Sequence, residues 1–86
     1  TAQRDAKAMA DISHALLKSP AFKSLADPAR EQVLVIAQLA AVGLGQPQEI
    51  RRIDEEFGRG IPLSHALGYI RSYLLAWADQ PAPSAG

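Results

Sequence analysis

From residue 33 to residue 44 the chain reads VLVIAQLAAVGL, and Gln38 is the only strongly polar side chain in that run. A helix that is apolar on nearly every face has to be enclosed by other elements. The run therefore predicts a central helix, with the rest of the chain wrapped around it. The stretch is far below the roughly 20 residues a membrane-spanning helix needs, so no membrane span is expected. Asp27-Pro28 supplies a start signal, a capping acceptor followed by a proline whose missing N–H costs nothing in the first turn. Gly43 and Gly45 supply candidate left-handed caps where the run ends.

Three further segments have helical periodicity. Residues 6–18 place Ala6, Met9, Ile12, Ser13, Leu16 and Leu17 on one side and Lys7, Asp11, His14 and Lys18 on the other, the pattern of an amphipathic surface helix. Pro20 should end it near Lys18 or Ser19, and residues 21–25 should then form a short turn that inserts Phe22 and Leu25. Residues 47–57 carry the stripe Ile50, Ile53 and Phe57, with Arg51 and Arg52 early and Glu55 and Glu56 late. That charge order permits i,i+4 pairs but runs against the helix dipole, so this should be the least stable helix of the four. Gly58-Arg59-Gly60 should close it with a turn that reaches positive φ. Residues 62–78 show the longest stripe, Leu63, Ala66, Leu67, Ile70, Tyr73, Leu74 and Trp77. Strand signals are absent.

The expected fold is thus all-α, a compact bundle of four helices with the second one central. An 86-residue chain that is 48% hydrophobic has room for one domain, here residues 1–79. Residues 80–86, with Pro81 and Pro83 spaced by small residues, have the composition of a disordered tail or linker. With Thr1 at the start, that end suggests a module of a longer polypeptide, and abundant alanine with more arginine than lysine suggests a bacterial source. A cytoplasmic location is expected.

Nine basic side chains balance nine acidic ones, which removes the broad basic footprint of a protein that grips nucleic acid through charge alone. The absence of cysteine excludes disulfides, thiolate catalysis and the usual structural zinc sites. His14 and His65 lack a second ligand at i+4, so a helical metal motif is missing. Asp54, Glu55 and Glu56 are consecutive and diverge by about 100° each on a helix, which reads as a solvated face. Ser64 and His65 are likewise neighbours that do not face one another. No catalytic residue, cofactor or metal site is assigned.

Two resemblances bear on function. Residues 50–70 can be read as a helix-turn-helix, a short helix, a glycine, a tight turn and a longer helix, which implies DNA contacts through Arg59, Ser64, His65 and Arg71. Asp54 stands where such motifs usually pack a small apolar residue. Residues 25–77 faintly resemble the helical carboxymuconolactone decarboxylase family through Arg30-Glu31, Ala40-Ala41 with Gly43, and Gly60-Ile61. Around the middle helix, where that family uses a histidine or a Cys-x-x-Cys pair, this chain has Arg51, Arg52 and Asp54, so the resemblance implies a fold and not an activity.

The expectation preferred over both is a non-catalytic protein–protein interaction module, an adaptor, docking or targeting domain whose partner is another protein or a second copy, with DNA binding as the alternative. Gly68, Ser72 and Ala76 recur every four residues with Leu75 beside them, a small-residue face able to receive a helix. Arg51, Arg52 and Glu55 would orient that contact.

Overall fold

The computed structural model describes residues 2–80, and they are helical wherever they are regular. The elements are α1 (Ala2–Leu17), α2 (Pro20–Ser24), α3 (Asp27–Gly43), α4 (Pro47–Ile53) continued by a π-helical turn (Asp54–Gly58), and α5 (Leu67–Ala78). The all-α class is as expected. Residues 81–86 of the expected tail lie outside the described residues, while the backbone N–H of Gln80 donates to the Trp77 carbonyl at 3.2 Å. No helix among the described residues is long and apolar enough to cross a membrane.

The connections follow from local chemistry. Ser19 Oγ accepts the Ala21 N–H at 3.1 Å and starts α2, which inserts Phe22 into the core. Asp27 opens α3 without capping it, because its carboxylate is bonded to the Arg30 guanidinium one turn on. Gly45 ends the α3 region in the left-handed conformation, φ +68°, a position that favours glycine. Neither Gly58 nor Gly60 has positive φ, contrary to the expected turn, since the π-helical turn carries the chain out of α4 instead.

α3 packs against α1, α4, the π-helical turn and α5, and so is central. One core cluster joins Leu17, Phe22, Leu34, Ala37, Ile53 and Ile61, and a second joins Ala41, Ile50 and Leu74. α1 and α3 approach closely enough that a Cβ on Gly43 would stand 2.8 Å from that of Ala6.

Two further sequence expectations need correction. α3 is not enclosed on all sides, for Ile36, Leu39 and Val42 are exposed. The last helix starts at Leu67 and not at Pro62. Ser64 Oγ accepts the N–H groups of Leu67 and Gly68 at 3.1 and 3.3 Å, satisfying two of the donors that a helix start leaves unpaired. The chain before it crosses the helix, and a Cβ on Gly68 would meet the Leu63 backbone carbonyl carbon at 2.9 Å.

Candidate functional site

The buried face of α5 is turned away from the stripe that periodicity suggests. Gly68, Arg71 and Leu74 point inward, while Tyr73 and Trp77 are exposed. Arg71 accounts for the rotation. Its Nη1 donates to Glu31 Oε2 at 2.8 Å and to the carbonyls of Ile61 and Pro62 at 3.1 and 3.3 Å. Nη2 donates to the Gly58 carbonyl at 3.2 Å and stands 3.6 Å from Asp54 Oδ1. Glu31 Oε2 also accepts the Ser64 N–H at 3.2 Å. The two side chains are 3% and 2% exposed. A charge that deep is tolerated only when paired and hydrogen-bonded, and it turns the helix that carries it.

Burial by itself would push the Glu31 carboxyl upward. Hydrogen bonds from Ser64 and Arg71, with the Arg71 charge, outweigh burial and hold it below the ordinary carboxylate range. A folded-state value below the unfolded one contributes stability that is complete above the unfolded value, about 4.3–4.5, and is lost as pH falls through the folded one. The melting temperature of the wild-type chain should therefore drop below about pH 4.5, and Glu31→Gln should flatten that acid limb. Thermal scans of both proteins from pH 7 to pH 3 measure this, and an equally steep limb in Glu31→Gln would show that other carboxylates set it.

Gly68 is buried and Arg71 is enclosed, so the first presents no partner surface and the second faces no phosphate. Ser72, Ala76, Arg59 and His65 are exposed, Leu75 is half-buried in the second core cluster, and Ser64 caps α5. Arg51 and Arg52 are drawn into local pairs, Arg51 with Glu55 and with Asp79 beyond α5, Arg52 with Glu49 and Glu56. The expected interaction residues thus do not converge on one surface. No group of three acidic or histidine side chains able to hold a metal occurs among the described residues.

A different surface does converge. Between α1 and α3 two adjoining depressions are lined by Asp5, Ala6, Met9, Ile36, Leu39 and Ala40, and by Met9, Ile12, Ser13, Leu16, Val33 and Ile36. Asp5 is the only charged residue in either lining, and Ser13 Oγ is already occupied by the Met9 carbonyl at 2.7 Å. Around α3, Gln38 and Ala41 meet Ile50 of α4, Glu31 meets Arg71 of α5, and Gly43 lies against α1. At about 100° per residue, Val42 and Leu39 fall in the arc between the α5 and α1 contacts, with Ile36 beside the latter.

On α5 the flank holding Gly68, Leu75 and Asp79 is the one turned to α4, because Asp79 is bonded to Arg51. Ile70 packs against the second core cluster, and Tyr73 and Trp77, further round α5, are exposed. Met9 and Ile12 from α1 and Ile36 and Leu39 from α3 therefore line one apolar surface. Their exposures run from 38% to 67%.

No protein-family model, curated protein or solved structure matches the chain, so the resemblance to the decarboxylase family gains no support.

Proposed function

We propose that this chain is a non-catalytic protein–protein interaction module, an adaptor or docking domain that binds through the α1–α3 face. The single observation that carries this reading is the continuity of that face. Met9, Ile12, Ile36 and Leu39 line two adjoining depressions in which Asp5 is the one charged residue. Scattered exposed leucines are ordinary on a protein surface, whereas contiguous apolar patches beyond a few hundred Å² mark contact sites. Scaled by their exposures, these side chains offer on the order of 300 Å². Met is also a residue type enriched at such contacts. The alanine-rich, arginine-preferring composition supports a bacterial setting, with the cytoplasm as the proposed compartment.

Site-specific photocrosslinking tests the reading. A benzophenone side chain placed at Leu39 or at Ile12 should form covalent protein adducts when the full chain is irradiated in producing cells. The same group at Glu56, exposed and away from the face, should form few. Equal yields at all three positions, or none at any, would refute the assignment.

A further inference from the structure

We infer that residues 81–86 of this chain, which lie outside the described residues, dock back along α5 as a proline strap over Trp77 and Tyr73. The surface concerned is separate from the α1–α3 face, and the inference goes beyond the interaction reading without resting on it.

The outward side of α5 carries Tyr69, Ser72, Tyr73, Ala76 and Trp77, all of them exposed. At about 100° per residue, Tyr69, Tyr73 and Trp77 form one row along the helix, and Ser72 and Ala76 form a second beside it. The side is thus a shallow step, with aromatic rings as its wall and small side chains at its foot. The three rings are 75%, 64% and 41% exposed.

Three properties of the chain select this occupant. The first is where the chain leaves α5. The N–H groups of Asp79 and Gln80 donate to the Leu75 and Trp77 carbonyls at 3.0 and 3.2 Å, so helical turning persists to residue 80. At about 100° per residue it carries Gln80 round to the aromatic side, while Asp79 is held towards α4 by Arg51. The chain is delivered to the step and to no other face of the helix.

The second is spacing. Residues 81–86 read Pro-Ala-Pro-Ser-Ala-Gly. Pro81 disfavours helical geometry at Gln80, and prolines at 81 and 83 favour polyproline II, the conformation that proline-rich segments use to dock on aromatic grooves. Two residues of polyproline II rise about 6.2 Å, and the four residues of helix from Trp77 back to Tyr73 rise about 6 Å. A segment that turns back at Gln80 therefore sets Pro81 level with Trp77 and Pro83 level with Tyr73, with Ala82 directed outward.

The third is attachment. Pro81 is four residues from Trp77, so the segment meets the row at an effective concentration on the order of millimolar. A second copy or a foreign partner has to outcompete a ligand that never leaves.

Trp77 is the one tryptophan of the chain, so its fluorescence reads the strap directly. With the full chain at about 1 μM, acrylamide should quench wild type at least about twofold less than the Pro81→Gly, Pro83→Gly double variant. The variant's emission should move to the red while its helical circular dichroism stays that of wild type. In the isotope-labelled wild-type chain, nuclear Overhauser contacts should join the Pro81 ring to the Trp77 indole and the Pro83 ring to the Tyr73 ring.

Equal quenching of the wild type and the double variant overturns the inference. Absence of both Overhauser contacts overturns it too, and because that is measured on wild type it decides the matter even if the variant folds poorly. Protection of Trp77 that appears only as the chain is concentrated towards about 0.5 mM would give the row to a second copy and equally overturn the strap. The crosslinks at Leu39 and Ile12 are read on a different surface, so the interaction module and the strap stand or fall separately.

Discussion

Glu31→Ala should lower the stability of this domain by about 3–5 kcal/mol, the largest loss expected from any single truncation in it. The magnitude comes from what is left behind. Arg71 is 3% exposed, cannot discard its proton, and without Glu31 would keep only the carbonyls of Gly58, Ile61 and Pro62 and a carboxylate 3.6 Å away on Asp54. Small domains have about 5–15 kcal/mol in total, so the variant should be close to its unfolding midpoint at room temperature. Arg71→Met should cost a similar amount for the mirror reason, a buried carboxylate holding one Ser64 N–H.

The double variant Glu31→Leu with Arg71→Met should recover part of the loss, since removing both charges removes both desolvation penalties. It should remain below wild type by about 1–3 kcal/mol, because the carbonyls that Arg71 bonds are left without that donor. Urea midpoints of the four proteins measure this cycle. Single variants within about 1 kcal/mol of wild type would mean that water reaches the pair and that it is not buried in solution.

Gly68→Ala should destabilise by about 1–3 kcal/mol, even though alanine gains about 1 kcal/mol over glycine inside a helix. The opposing contribution is steric. The new methyl would stand 2.9 Å from the Leu63 carbonyl carbon and 2.9 Å from its Cβ, and backbone is not a neighbour that moves aside cheaply. Gly68→Leu should prevent the segment before α5 from crossing the helix and unfold the domain. Gly60→Ala is the matched control, since a methyl added there would meet nothing within 4 Å and the φ of Gly60 is not positive. It should be neutral or gain up to about 1 kcal/mol by stiffening the unfolded chain. Thermal melts of the three variants decide the matter, and a stabilised Gly68→Ala would show that Leu63 does not lie against the helix.

These two sites also show where sequence reading stops. The ends of α3 were legible because Pro28 and Gly45 act locally, each through its own backbone. The role of Arg71 was not, because its partner lies forty residues back and an arginine between apolar neighbours reads as a residue reaching for solvent. A long-range ion pair leaves no periodic trace. Ser64 carried a readable capping signal three residues before Leu67, masked by a helical stripe that runs on back to Leu63.

Periodicity placed Ile70, Tyr73 and Trp77 on one side of α5 and could not say that this side borders open surface, since pattern identifies a shared face and not what covers it. The same ambiguity applies to Ile36, Leu39 and Val42. An all-round apolar helix predicts neighbours on every side, and at Ile36, Leu39 and Val42 this helix is instead exposed. The small-residue series Gly68, Ser72 and Ala76 divides physically, its first member serving an internal crossing and the other two standing in solvent.

The carbonyls of Gly58, Ile61 and Pro62 converge on one guanidinium that belongs to the same chain. The segment 59–66 is thereby organised around a tethered cation, although it holds few of the core side chains. Most long connections fray by local opening that leaves the rest of a protein intact. Opening this one separates the guanidinium from three backbone acceptors and bares the Glu31 carboxylate, so its release is tied to that of α3 and α5. Its backbone amides should exchange with solvent as part of the global unit, and a stretch that looks like slack between two helices behaves as one of the cooperative seams of the domain.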